Sequence, residues 1–135
     1  MLQFVDTSAF YAIEDPSDQD YKAAIDYREK IRHNESIHLI TSSYIIDEAL
    51  TLMKDRLGYD SAIKFGKKVR NSKTLRIIHV TQELEEKGWE LFVKYQDKEF
   101  SFTDCVSFVL MEKYNTTVAF AFDKHFEQYG FQKLP

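Results

Sequence analysis

The apolar positions of this chain fall into two kinds of pattern. LQFV (2–5), IHLITSS (37–43), LRIIHV (75–80) and TTVAFAF (116–122) are short runs rich in β-branched and aromatic residues, the length and make-up of buried strands. The last is apolar on both faces, as in a parallel sheet covered by helices. LQFV stops at DTS, which reads as a polar turn. Between these runs lie stretches with helical spacing. EDPSDQDY (14–21) reads as a loop and helix start, with Pro16 near the first turn and the acids Glu14, Asp15, Asp18 and Asp20 as caps, and its helix runs to about residue 32. Ser42 or Ser43 caps YIIDEALTLMKDRLG (44–58), which Gly58 closes, and a further helix spans 59–71. Thr81 opens TQELEEKGWELFVKYQ (81–96), FTDCVSFVLMEKY (102–114) follows, and the tail HFEQYGFQKLP (125–135) adds a short strand.

Strand and helix thus alternate, without the Asn-Gly or Asp-Gly signals of a tight hairpin. The pattern predicts an α/β architecture with a mainly parallel central sheet of four to five strands flanked by helices. A length of 135 residues suits one domain, 1–135, with no linker or repeat. Composition sharpens this reading: 44% hydrophobic and 15% aromatic residues exclude disorder, and only four Gly and two Pro leave little for an all-β fold.

The lone cysteine, Cys105, has no partner for an internal disulfide and reads as a small core residue. No CxxC or His spacing suggests zinc. The start MLQFVDTSAF lacks a basic segment and a long apolar run, so the expected location is cytoplasmic, with no membrane contact. Net charge is −4, but it is unevenly placed: residues 22–76 carry +5 and the remainder −9. The densest basic piece, KFGKKVRNSKTLR (64–76), is either a solvated face or a footprint for nucleic acid or an acidic partner.

Four carboxylates stand in apolar settings. Asp6 ends the strand LQFV and Asp123 follows VAFAF. Parallel strands bring such residues to one edge, where open α/β sheets hold ligands. In the helix 44–58, Glu48 shares a stripe with Ile45, Ala49, Leu52 and Met53, so it is expected to face inward, where an ionised carboxylate needs a cation or a pairing with Arg56. Asp104 stands in the first turn of its helix with Ser107, Phe108 and Met111 on its side. Each acid alone has an ordinary use as a cap. Together they predict one site where mutual repulsion calls for a bound cation, and all-oxygen ligation selects Mg²⁺ or Mn²⁺. His33, His38, His79 and His125 show no paired ligand spacing and are read as structural or surface residues.

Four ordered blocks, FVDTSAF, IIDEALTL, SFTDCVSF and AFAFDKHFEQYGF, resemble the PIN domain, and specifically the small VapC-type toxins of toxin-antitoxin systems. The resemblance spans nearly the whole chain and implies a PIN-like three-layer α/β fold. It implies a Mg²⁺- or Mn²⁺-dependent endoribonuclease that hydrolyses RNA phosphodiesters, a cognate antitoxin as partner, and dimerisation as in many members. By that resemblance Asp6, Glu48, Asp104 and Asp123 form the acidic metal-binding and catalytic quartet, supported by Ser8 and Thr103. Asp6 and Asp104 would be the primary ligands, with Ser8 and the Thr7 N–H orienting water or phosphate, or else only satisfying the turn. Phe10 and Tyr11 would stack on bases or pack in the core. Two other readings stay open: a catalytically silent PIN-fold binding module, and an aspartyl phosphotransferase of the haloacid dehalogenase type, which wants an acid where Ser8 stands.

Overall fold

The short apolar runs do form strands, and all of them run in one direction. A computed structural model describes all 135 residues. In chain order the elements are β1 (Leu2–Val5), α1 (Thr7–Glu14), α2 (Tyr21–Arg32), β2 (His38–Ser42), α3 (Ser43–Leu57), α4 (Tyr59–Arg70), β3 (Leu75–Ile78), α5 (Gln82–Lys94), α6 (Phe102–Lys113), β4 (Val118–Phe120), α7 (His125–Tyr129) and β5 (Gln132–Leu134). The sheet has the order β3-β2-β1-β4-β5, and every pairing is parallel.

That order fixes the layers. From β1 to β2 to β3 the chain steps one way across the sheet, and from β3 to β4 to β5 it steps back. Parallel crossovers are right-handed, so α1–α4 cover one face and α5–α7 the other. The strands are therefore buried on both sides, which is why LQFV and VAF show no alternation. Even Gln3 is buried, and it is satisfied by the Tyr27 hydroxyl of α2, which donates to its Oε1 at 2.7 Å. The α1–α4 side of the core holds Phe10 edge-on to Phe65 and Tyr27 edge-on to Phe120. On the other side Phe108 packs against Phe100, Phe126 and Tyr129.

Two helices escape the sequence pattern. DTS is not a free turn: Asp6 is the N-cap of α1, and its carboxylate accepts the Ser8 N–H. Helix α1 buries Thr7, Ala9, Phe10, Tyr11 and Ala12, so it presents no polar stripe to give a helical period. The five-residue α7 is too short to show one. The acids before α2 also differ from expectation. Helix α2 begins at Tyr21, well beyond Pro16, and its N-cap Asp20 makes no side-chain cap bond. Glu14 instead pairs with Lys68 at 2.6 Å, and Asp15 accepts from the Tyr11 and Ser17 hydroxyls. The other caps are where the sequence puts them: Ser42 on α3, Thr81 on α5, and Gly58 at the end of α3 with a φ of 97° that favours glycine.

Helices α5 and α6 meet at Gly88, where a Cβ would lie 2.7 Å from Cγ2 and 3.3 Å from Cα of the fully buried Val106. Gly88→Ala gains about 1 kcal/mol of helix propensity, but overpacking a rigid β-branched neighbour costs about 1–3 kcal/mol. We expect a net loss of stability in denaturant titration, and recovery when Val106→Ala is combined with it. Stabilisation by Gly88→Ala alone would contradict this packing.

Candidate metal centre

The sheet topology brings the carboxylates together. β1 and β4 are neighbours, Val5 opposite Phe120, and the Asp6 N–H donates to the Phe120 carbonyl at 3.0 Å. From β1 the chain leaves toward β2 on one side, while β4 lies on the other. Their carboxyl ends are thus the switch point of the sheet, where α/β folds leave a crevice. Asp6 and Asp123 sit at that edge. Asp104 reaches it from the first turn of α6, and the N-terminus of α1 points to the same place, so two positive helix ends face the acids.

Each aspartate is held by one oxygen only. Asp6 Oδ2 accepts the Ser8 hydroxyl at 2.6 Å and the Ser8 N–H at 3.2 Å. Asp104 Oδ2 accepts the Ser101 N–H at 3.0 Å, and Ser101 Oγ in turn accepts the Asp104 N–H, which makes a capping box. Asp123 Oδ1 accepts the His125 N–H at 2.9 Å. The Asp6 Oδ1, Asp104 Oδ1 and Asp123 Oδ2 atoms make no hydrogen bond within the chain. No Lys or Arg pairs with Asp6, Glu48, Asp104 or Asp123; the ion pairs of the molecule lie elsewhere, apart from the contacts of His125.

His125, read from sequence as structural or surface, is placed inside the site. Its Nδ1 lies 2.7 Å from Asp104 Oδ2 and 3.2 Å from Asp123 Oδ1, with the imidazole only 16% exposed. Asp104, Asp123 and His125 can offer ligand atoms that all lie within 4.8 Å of one another. The only signal in the sequence was its place two residues beyond Asp123.

Glu48 corrects the expectation in a different way. It does not face the core but stands on an exposed rim of α3, and it lines a cleft of about 570 Å³ with Thr7, Tyr44, Asp47 and Thr103. The inward stripe is carried by Ile45, Ala49 and Met53 instead. Arg56 is not its partner, since that guanidinium lies over the Tyr11 ring at 5.3 Å. Ser8 is also more constrained than the sequence suggests. Its hydroxyl proton goes to Asp6, and its oxygen accepts the Phe122 N–H at 2.9 Å, tying the end of β1 to the end of β4. Its one donor is therefore spent and cannot bind a phosphate. Phe10 and Tyr11 are buried, 7% and 5% exposed, and belong to the core rather than to a base-stacking surface.

Crowded acids titrate high. Burial raises the Asp6 pKa from 3.8 to about 7; the Ser8 bonds counteract, while the charges of Asp104 and Asp123 add to the rise. Asp104 is raised by burial and by Asp123, against the pull of the Ser101 N–H and His125. Glu48 is raised by desolvation, then lowered by the Thr7 hydroxyl and raised again by Asp104, Asp123 and Asp47. That Thr7 hydroxyl is buried and lies near Glu48 without meeting it in good hydrogen-bond geometry. Burial and Asp104 lift the Cys105 thiol to about 11, so it is an inert core group. Unspent oxygens, the absence of a Lys or Arg partner and raised pKa values fit a hard divalent cation: Asp104 and Asp123 offer close ligand atoms beside His125, and Asp6 is near enough to feel the charge of both.

The chain matches the PIN domain model over residues 4–132. It is 34% identical over 131 residues to the 23S rRNA-specific endonuclease VapC20 of Mycobacterium tuberculosis, covering 97% of this chain and 96% of that protein. A VapC ribonuclease of Archaeoglobus fulgidus is 31% identical over 118 residues, 84% of this chain and 72% of the relative. The crystal structure of Mycobacterium tuberculosis VapC20, a sarcin-ricin loop cleaving toxin, superposes with a TM-score of 0.86 at 33% identity, over 97% of this chain and 96% of that one. VapBC2 of Rickettsia felis, bound to a promoter DNA fragment, shares the fold at a TM-score of 0.72 and 12% identity, over 98% and 97% of the two chains.

The raised Asp6 pKa has a consequence for the metal-free protein. Below 3.8 Asp6 is protonated in both folded and unfolded chains. Between 3.8 and about 7 the folded chain keeps a proton that the unfolded chain releases, so stability falls as pH rises through this window, and the penalty is complete above it. Each unit is worth about 1.4 kcal/mol. In EDTA, Asp6→Asn should therefore melt several degrees above wild type at pH 8, and the gap should shrink toward pH 4. A gap that does not change with pH would contradict the assignment.

Proposed function

The chain belongs to the PIN domain family, and from that membership we propose that it is a divalent-metal-dependent endoribonuclease, the toxin of a toxin-antitoxin pair. The observation that carries this reading is the set of three aspartates that each hold back one oxygen while no Lys or Arg balances them. Two relatives at 31–34% identity are an rRNA endonuclease and a ribonuclease, which supports RNA as the substrate class. The VapBC pair from Rickettsia felis supports a cognate antitoxin as partner.

Asp6, Asp104 and Asp123 would hold Mg²⁺ or Mn²⁺, with Glu48 joining from the rim through water or a second ion. The ion supplies a lowered pKa for attacking water and charge compensation at the phosphate. The remaining work belongs to the chain. Ser8 and the capping box of α6 keep the acids in fixed rotamers, so that little reorganisation is needed when substrate arrives. The N-termini of α1 and α6 direct their positive ends at the place a phosphate would occupy. Thr7 and Thr103 line the adjoining cleft, which would receive the substrate beside the acids. The basic residues of α4, Lys64, Lys67 and Arg70, remain available for salt-sensitive phosphate contacts, whereas Lys68 is engaged with Glu14.

The test uses the purified chain on structured RNA with Mn²⁺. Wild type should cleave, and Asp104→Asn should lose at least about 100-fold in rate, the scale of removing a principal electrostatic contributor, with an unchanged circular dichroism spectrum because asparagine still accepts the Ser101 N–H. A fully active Asp104→Asn would reject this site. Metal uptake without cleavage of any RNA would favour the silent binding module.

A further inference from the structure

We infer that His125 is a positioning residue that locks two of the carboxylates together and thereby sets the affinity of the site for its cation. The inference rests on the metal-dependent reading above, and it adds a residue outside the four acids. The geometry behind it is a set of contacts that fix the imidazole at three points. The His125 N–H is bonded to Asp123 Oδ1 at 2.9 Å. Its ring Nδ1 lies 2.7 Å from Asp104 Oδ2 and 3.2 Å from Asp123 Oδ1. The ring also meets the edge of Phe100, with centroids 5.5 Å apart at 75°. The next residue, Phe126, is fully buried against Phe4 and Phe108, so the start of α7 cannot shift without disturbing the core.

Because Nδ1 faces two carboxylate oxygens, it carries a proton and donates it, chiefly to Asp104. The oxygens it addresses are the ones already used within the chain. Asp104 Oδ2 also takes the Ser101 N–H, and Asp123 Oδ1 also takes the His125 N–H. The imidazole therefore gathers the occupied oxygens on its own side and leaves Asp104 Oδ1 and Asp123 Oδ2 for a ligand. Without it, Asp123, whose side chain is 31% exposed, keeps a single backbone bond and loses its link to α6. Ser8 plays the matching part on the other flank, joining Asp6 to the backbone of Phe122, one residue before Asp123. The three aspartates, from β1, α6 and the end of β4, are in this way linked through Ser8 and His125. Partners that orient ligating carboxylates influence metal affinity by about 10–100-fold.

The experiment measures Mn²⁺ and Mg²⁺ binding by isothermal titration calorimetry in wild type, His125→Asn and His125→Leu, with melting curves in EDTA alongside. Asparagine can place its amide N–H where Nδ1 stands; leucine cannot donate. We expect His125→Leu to weaken both ions by about 10-fold or more in equal proportion, and His125→Asn to stay within about 3-fold of wild type. Leucine binding as well as wild type, or asparagine failing as badly as leucine while both melt normally, would overturn the inference. A selective loss of Mn²⁺ over Mg²⁺ in the leucine variant would make the imidazole a ligand and overturn the positioning role. Absence of uptake by the wild type would overturn the metal reading itself, and this inference with it.

Discussion

Carboxylate oxygens gathered without Lys or Arg partners are the constraint on which the rest of this molecule depends. Nothing about a parallel sheet requires Asp6, Asp104 and Asp123 to share one edge, and burial, with the charges of Asp104 and Asp123 adding to it, lifts the Asp6 pKa to about 7 against the pull of the Ser8 bonds. A fold selected only for stability would replace such groups or pair them with Lys or Arg. Here no Lys or Arg forms an ion pair with them, and the cost is carried at the switch point of the sheet. That unbalanced charge is what the proposed cation would offset.

Each site carboxylate also has a structural duty, performed by the oxygen the site does not need. Asp6 caps α1, Asp104 completes the capping box of α6, and Asp123 holds the first N–H of α7. The ordinary explanation of these acids as helix caps and the proposed chemical one are therefore compatible, one oxygen apiece. This sharing positions the ligands rigidly, because moving a carboxylate would also unravel the start of a helix. Ser8 and His125 then join the three caps across elements that are distant in sequence.

Much of this was legible in the sequence, and the failures have physical causes. Strands apolar on both faces marked the parallel sheet, and acids at two strand ends marked the edge where they meet. Caps such as Ser42 and Thr81 fell where side-chain chemistry demands them. Helix α1 was missed because it is buried nearly all round and carries no periodic stripe, so its first residues read as a turn. Glu48 was assigned to the wrong face because its spacing from Ile45 and Ala49 put it at the border of the buried stripe, where a rotation of a few tens of degrees decides between core and rim. His125 could not be recognised from spacing, because its partner Asp104 lies 21 residues away on another element and only the packing of α7 brings them together. The order of the four blocks did carry the family resemblance, which the match over residues 4–132 supports.

The most direct measurement of the central claim is anomalous diffraction from crystals grown with Mn²⁺. The account predicts a peak with oxygens of Asp6, Asp104 and Asp123 at about 2.1 Å, contributed by the atoms that make no hydrogen bond within the chain. Mn²⁺ bound only at other surface acids, or no peak while these carboxylates share protons with one another, would contradict it.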